Sequence, residues 1–257
     1  MIDPQVDFCA PAGKLFVTGA DKDMERLASF IVSNSQRLND IHCTLDSHQS
    51  LHVAHPIMWV NSRGEHPKPF TEISSQNVRT SMWRMTIATL QDRGQKYTDK
   101  LETNGRYKLM IWPPHCIIGS MGAALVPAIS NALIAWEIAN MAQVDYVPKG
   151  SNPFTEHYSA VQADVPDPRD PLTKLNTRLV DILAQADEIL ITGEALSHCV
   201  ANTVTDIANT FGDDNVKKFV LLRDTSSNVT SCELLGENFV KTMVKRGMRV
   251  TTTTDWN

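Results

Sequence analysis

Apolar and polar positions along this chain follow two different periods. Short β-branched or apolar runs at Ile41–Leu45, Lys108–Trp112, Val144–Val147, Glu188–Thr192, Phe219–Arg223 and Arg249–Thr253 read as buried strands. Between them, apolar residues recur at helical spacing over Lys22–Asn39, Gln76–Gly94, Pro127–Ala142, Lys174–Ala186, Cys199–Phe211 and Leu234–Arg246. Val200, Val204, Ile207, Ala208 and Phe211, for example, fall on one helical face. Alternating strands and helices predict an α/β chain with three α/β/α layers and a mostly parallel central sheet of about six strands. Such sheets gather reactive groups at the carboxyl ends of their strands. Two stretches lack clean periodicity, Ser50–Ser75 and the proline-rich Pro148–Pro171, and each is long enough to be a functional loop or lid. No linker or repeat divides the chain, so a single domain over residues 1–257 is expected.

Composition narrows the classes. A 42% apolar content over 257 residues supports an ordinary buried core. No run of about 18 apolar residues suggests a membrane span. The N-terminus lacks the basic-then-apolar pattern of a signal peptide. With a formal charge of only -5 and interspersed signs, nothing marks a nucleic-acid or lipid-binding face. The five cysteines, Cys9, Cys43, Cys116, Cys199 and Cys232, show no CxxC spacing, which favours free thiols and a cytoplasmic setting.

One of these cysteines sits where chemistry is favoured. The strand Glu188–Thr192 is broken by Gly193, and a helix is expected from about Cys199 onward, so this thiol falls at a helix start. Unpaired N–H groups and the helix dipole bias such a thiol toward thiolate, although a buried, inert cysteine fits the same pattern. Asp46 and His48 form an Asp-x-His pair after the strand Ile41–Leu45, and their side chains point to the same side of an extended chain. His115 follows the strand Lys108–Trp112. One carboxylate and two imidazoles suit a single divalent ion, zinc first and Fe or Mn next, while a solvated surface pair is the bland alternative. His52 or His55 is an additional ligand candidate.

Five segments in order, Ile2-Asp-Pro-Gln-Val-Asp-Phe-Cys, Thr44-Leu-Asp-Ser-His, Trp112-Pro-Pro-His-Cys-Ile-Ile-Gly-Ser-Met-Gly-Ala, Val147-Pro-Lys-Gly and Ala195-Leu-Ser-His-Cys-Val-Ala-Asn-Thr, resemble the cysteine hydrolase superfamily of nicotinamidases, isochorismatases and related amidases. The resemblance implies the isochorismatase-like hydrolase fold and a catalytic trio of Cys199, Lys149 and Asp3. It implies an oxyanion hole from the backbone N–H groups of Ala195 and Cys199, with a cis peptide at Glu194–Ala195. It further implies metal ligands Asp46, His48 and His115, as in nicotinamidases, and substrate contacts from Phe8 and Trp112 on either face of a ring, joined by Glu194 and His198. In that scheme Lys149 lowers the thiol pKa, while Asp3 takes the thiol proton and passes it to the departing amine.

The implied activity is metal-dependent hydrolysis of nicotinamide to nicotinate and ammonia through a cysteine thioester, placing the chain in NAD salvage. The expected partner is a small carboxamide, with no nucleic acid or membrane, and a homo-oligomer is compatible. The alternatives are another amidase or ureidohydrolase of this superfamily, or a non-catalytic metal-binding relative; a redox-sensing thiol is disfavoured because no resolving cysteine lies near Cys199. Three departures stand out. Only Met1 and Ile2 precede Asp3, so the family's first strand is barely present. An insertion at about residues 56–107, with a helix carrying Trp83, Met85 and Leu90, is expected to cap the pocket or build an oligomer contact. Glu194 replaces the apolar residue common in nicotinamidases and suggests a more polar amide.

Overall fold

A computed structural model describes residues 1–104 and 107–257. Nine strands are described: β1 (His42–Asp46), β2 (Trp59–Val60), β3 (Glu72–Ile73), β4 (Arg84–Met85), β5 (Leu109–Met110), β6 (Asp145–Lys149), β7 (Ile189–Ile191), β8 (Phe219–Leu222) and β9 (Arg249–Thr251). The helices among the described residues are α1 (Val6–Cys9), α2 (Ala20–Ser33), α3 (Ser75–Arg79), α4 (Gln91–Thr103), α5 (Pro127–Asn140), α6 (Thr177–Gln185), α7 (Ala201–Phe211), α8 (Asp213–Val216) and α9 (Glu233–Lys245).

The central sheet is parallel. β1 pairs with β6, and β7 pairs with β8, which pairs with β9. The two halves are joined by the first two residues. Met1 accepts from Thr44 N–H at 3.0 Å and its terminal ammonium donates to His42 O at 3.0 Å. Ile2 donates to Thr192 O at 2.9 Å and accepts from Glu194 N–H at 2.8 Å, in parallel register with Gly193. Met1 and Ile2 thus bridge the two halves, with their backbone groups satisfied on both sides. All four residues of β8 are buried, as expected of a strand covered on both faces.

Helices form where the apolar stripe allows. Ala20, Met24, Leu27 and Ile31 make the buried face of α2, which packs on α5. Pro127 occupies the first turn of α5, where no N–H is needed, and Met141 ends it in a left-handed conformation. α7 packs against both α6 and α9.

Three elements differ from the periodicity. The expected helix Gln76–Gly94 is two helices with a strand between them. α3 is closed at its start by a reciprocal Ser74–Asn77 capping box, the chain turns at Ser81 (φ 58), and Met85 pairs with Trp59 before α4 begins. Trp83 and Leu90 therefore lie outside α3 and α4. The expected strand Lys108–Trp112 shortens to β5 and runs antiparallel to β3 rather than joining the central sheet. Its neighbours are claimed elsewhere: Ile111 N–H donates to Thr71 O, Trp112 N–H donates to Ala54 O, and two prolines without N–H follow. The helix expected over Lys22–Asn39 starts at Ala20 and stops at Ser33, where the Asn34 side chain takes the Phe30 carbonyl.

Candidate active site

The carboxyl ends of β1, β6 and β7 converge, and Asp46, Lys149 and the turn after Gly193 meet there. Lys149 is the hub. Its Nζ lies 2.9 Å from Asp3 Oδ2, 3.1 Å from Asp46 Oδ1, 3.0 Å from His157 O and 3.6 Å from Cys199 Sγ. Asp3 is fully buried, and Thr44 holds it from the side, the Thr44 hydroxyl donating to Oδ1 at 2.5 Å and accepting from Asp3 N–H at 3.1 Å. Thr44 opens the Thr44-Leu-Asp-Ser-His segment, and only the pairing of Met1 with β1 brings it to Asp3. Gln5 acts similarly on Asp46, donating to its carbonyl and accepting from its N–H, both at 2.7 Å.

Cys199 does not begin its helix. A π-helical turn, Leu196–Val200, precedes α7, with Val200 N–H reaching back to Ala195 O at 3.1 Å. The Glu194–Ala195 peptide is cis. Burial pushes the thiol well above its ordinary range, and the negative charges of Asp3 and Asp46 add to this; Lys149 pulls the other way and does not prevail. Lys149 thus acts on the thiol in the expected direction, but burial outweighs it. Lys149 already serves two carboxylates, so its charge is largely answered before it reaches the sulfur. Burial alone would lower Lys149 itself, but Asp3 and Asp46 hold it well above the usual lysine range, so it stays an ammonium.

Beside the trio, Asp46 Oδ2 lies 2.9 Å from His48 Nε2 and 3.2 Å from His115 Nε2, and all three side chains are buried. Their ligating atoms fall within 4.8 Å of one another. The second nitrogen of each ring faces a carbonyl: His48 Nδ1 sits 3.0 Å from Gly150 O and His115 Nδ1 2.8 Å from Pro113 O. Donation from Nδ1 fixes the tautomer that offers an Nε2 lone pair to an ion, so this donor set fits a divalent metal. Burial disfavours charge on Asp46, but His48, Lys149 and the hydrogen bond from His115 hold its carboxyl well below the usual range. Burial likewise opposes charging His48, yet Asp46 raises it to about 9.

The additional histidines separate. His48, His52 and Glu156 also group within 4.8 Å, but both His52 nitrogens are engaged: Nε2 with Thr155 O at 3.2 Å, and Nδ1 as acceptor for Ala54 N–H at 3.3 Å. His55 has Nδ1 on Ser50 O at 3.2 Å and a buried Nε2 with no hydrogen-bond partner among the described residues. Its ring centroid is 5.8 Å from that of His115.

A pocket opens on this cluster, lined by Phe8, Trp112, His115, Lys149, His198 and Cys199 among others. Trp112 is fixed by its N–H to Tyr158 OH at 2.9 Å, and Phe8 meets the His115 ring edge-on at 5.3 Å. His198 packs against Trp112 at 5.5 Å, and burial lowers it to about 4, so it is a neutral imidazole. Glu194 is not among the lining residues; its carboxylate turns to Ser227 N–H at 3.0 Å, away from the substrate position expected for it. Glu156 and Tyr158, which the loop Pro148–Pro171 carries into the wall, were missed because no periodicity marks them. Among the described residues, the segment 56–107 supplies none of the pocket lining, though its Tyr107 stacks on the wall residue His198 at 5.6 Å. The segment buttresses that loop from behind, Tyr97 OH accepting from Glu156 N–H at 3.1 Å and Arg93 pairing with Asp167 at 2.5 Å.

This architecture is the isochorismatase-like hydrolase fold, with a cysteine, a lysine and an aspartate gathered at the strand ends. Within that class the similarity is to nicotinamidases and pyrazinamidases. Over 95 residues, 37% of this chain and 38% of the relative, the sequence is 34% identical to the nicotinamidase of Escherichia coli (strain K12). The aligned stretch thus spans well under half the length of that curated relative. The fold superposes on the yeast nicotinamidase bound to the inhibitor nicotinaldehyde with a TM-score of 0.68, at 18% identity over 98% of this chain and 97% of that one. It also superposes on the pyrazinamidase of Pyrococcus horikoshii in complex with zinc, with a TM-score of 0.57, at 20% identity over 98% of this chain and 96% of that one. No family-level sequence profile matches the chain. Among the described residues no helix is long and apolar enough to cross a membrane.

Proposed function

We propose that this chain is a nicotinamidase, hydrolysing nicotinamide to nicotinate and ammonia through a thioester on Cys199. The observation that carries the reading is the convergence of Cys199, Lys149 and Asp3, within 3.6 Å contacts of Lys149 Nζ, next to a three-ligand metal set in an aromatic-walled pocket. Phe8 and Trp112 take the flat ring between them, and His198 and Tyr158 close its edge. Asp46, His48 and His115 would hold one divalent ion, zinc by the similarity to the zinc-bound pyrazinamidase. That ion supplies a Lewis acid able to hold a pyridine nitrogen.

The chemistry of the chain's own residues follows from their order around Lys149. The thiol passes its proton to Asp3 as sulfur attacks the carboxamide carbon. The negative oxygen that forms is received by the N–H groups of Ala195 and Cys199. The C–N bond breaks, and Asp3 returns the proton to the departing nitrogen, which leaves as ammonia. Asp3 then takes a proton from water, hydroxide attacks the thioester, and the C–S bond breaks as Cys199 regains its proton. Lys149 stays charged throughout and steadies Asp3 and the sulfur as charge moves between them. The five free cysteines and the nicotinamide substrate agree with a cytoplasmic enzyme of NAD salvage.

The test is ammonia release from nicotinamide, measured on purified protein with zinc, on metal-stripped protein and on Cys199→Ala. Release by the zinc form alone is the expected result. Equal release by Cys199→Ala overturns the mechanism, and release only from other amides in a substrate panel overturns the substrate.

A further inference from the structure

Glu194 stands one residue before Ala195, yet its side chain leaves the pocket for the contact with α2. It is fully buried, and Asp23 on α2 is only 4% exposed. Ser227 lies between them, its N–H donating to Glu194 Oε2 at 3.0 Å and its hydroxyl to Asp23 Oδ2 at 2.5 Å. Arg26 takes the other oxygen of Asp23 at 2.5 Å and also donates to Asp224 O at 2.6 Å. Glu194 Oε1 has no donor within reach among the described residues. Two ionised carboxylates here would leave one buried oxygen empty beside a like charge. One proton on Glu194 removes that conflict, because the carboxyl then offers a donor toward Asp23, and Arg26 stays paired with Asp23.

We propose that Glu194 and Asp23 share one proton, and that this carboxyl pair is a positioning device locking the Cys199 turn onto α2. The turn is held at the same place by its backbone. Leu196 N–H donates to Ser227 O at 2.8 Å, Ser226 Oγ to Gly193 O at 2.6 Å, and Gly193 N–H to Thr225 O at 3.1 Å. Ser227 therefore grips both sides of Ala195, through the Glu194 side chain and the Leu196 amide. The charged and titratable groups facing the pair are Arg26 from α2, Arg223 after β8 and Cys9 from α1. Burial raises Glu194 well above the carboxyl range, and Asp23 adds to this, while the Ser227 N–H and Arg223 act against it. Cys9 is held neutral by its own burial.

Glu194→Gln tests the pair, since the amide donates to Asp23 and accepts from Ser227 without a titrating proton. A raised folded pKa contributes stability that is full below the ordinary carboxyl range and is lost as pH rises toward the folded value. The Tm of wild type relative to Glu194→Gln should therefore fall as pH rises above the ordinary carboxyl range. Difference infrared spectra at neutral pH should show a protonated carboxyl band in wild type that Glu194→Gln lacks. Cys199 alkylation by iodoacetamide should shift by about tenfold or more in Glu194→Ala and return to the wild-type rate in Glu194→Gln. A flat Tm difference, no carboxyl band, or a Glu194→Gln as perturbed as Glu194→Ala overturns the proposal. Only the importance of the turn for hydrolysis rests on the nicotinamidase reading. Failure to hydrolyse nicotinamide with these three results intact would leave the pair standing and remove the substrate.

Discussion

Ile2 lies so close to Gly193 that a Cβ on the glycine would stand 2.0 Å from Ile2 O. Gly193 also has φ +109, a conformation that other residues adopt only under strain. This contact lets Ile2 bridge the two halves of the sheet, and the next residue is Asp3. The position of the proposed proton acceptor thus depends on a glycine far away in sequence.

Gly193→Ala should therefore unfold or severely destabilise the protein. Gly64→Ala, at φ +80 with open space around it, should cost only about 1 kcal/mol. Denaturant unfolding of both variants checks this, and similar losses at the two positions would contradict the close approach.

Because Cys199 rests as a thiol, its alkylation should be slow near neutral pH and accelerate only above the usual thiol range. Asp3→Asn removes one of the charges that raise the thiol, so alkylation at neutral pH should quicken. Turnover of nicotinamide should fall by about 10²–10⁴-fold in the same variant. If both rates fell together, the assigned effect of Asp3 on the sulfur would be wrong.

Zinc content distinguishes the histidines. Asp46→Ala, His48→Ala and His115→Ala should each lose metal, with affinity weakened by about 10-fold or more. His52→Ala should keep it, because both His52 nitrogens are already bonded. Metal analysis after dialysis reads the result, and loss of zinc in His52→Ala would place that ring in the ligand set.

The segment around β2, β4 and α4 backs the Pro148–Pro171 loop, and its own core decides its stability. Trp59 is fully buried, packs near Gly94 and donates to Val53 O at 2.7 Å. Trp59→Ala should cost about 3–5 kcal/mol, visible in the urea midpoint. A loss below about 1 kcal/mol would show that this packing is dispensable.

Acid should unfold the protein through its neutral histidines. Burial lowers His157 to about 3 and His198 to about 4. A depressed folded pKa contributes stability present above the unfolded value near 6.5 and lost as pH falls through the folded one. Unfolding free energy should therefore decline from about pH 6.5 toward about pH 4, and His157→Gln should flatten part of that slope. An unchanged slope would mean that His157 is charged in the folded state.

Much was legible locally. The alternation of strand and helix, the Asp46-x-His48 pair and the turn before Cys199 are patterns of neighbours, and local periodicity determines them. What misled was also local. Residues 76–94 carry helical spacing, yet Met85 gains more by pairing with Trp59, and Trp112 gives its N–H to Ala54 instead of a central strand. Glu194 looked like a pocket residue because it adjoins Ala195, but a buried carboxyl goes where a donor waits, and Ser227 is on another segment. The sequence by itself determined which residue types carry the chemistry and the order in which they come. Only the tertiary structure decided that Met1 and Ile2 bridge the sheet and carry Asp3 to Lys149, and that burial raises the thiol. Both depend on burial and on charges brought together from distant segments, which no local pattern encodes.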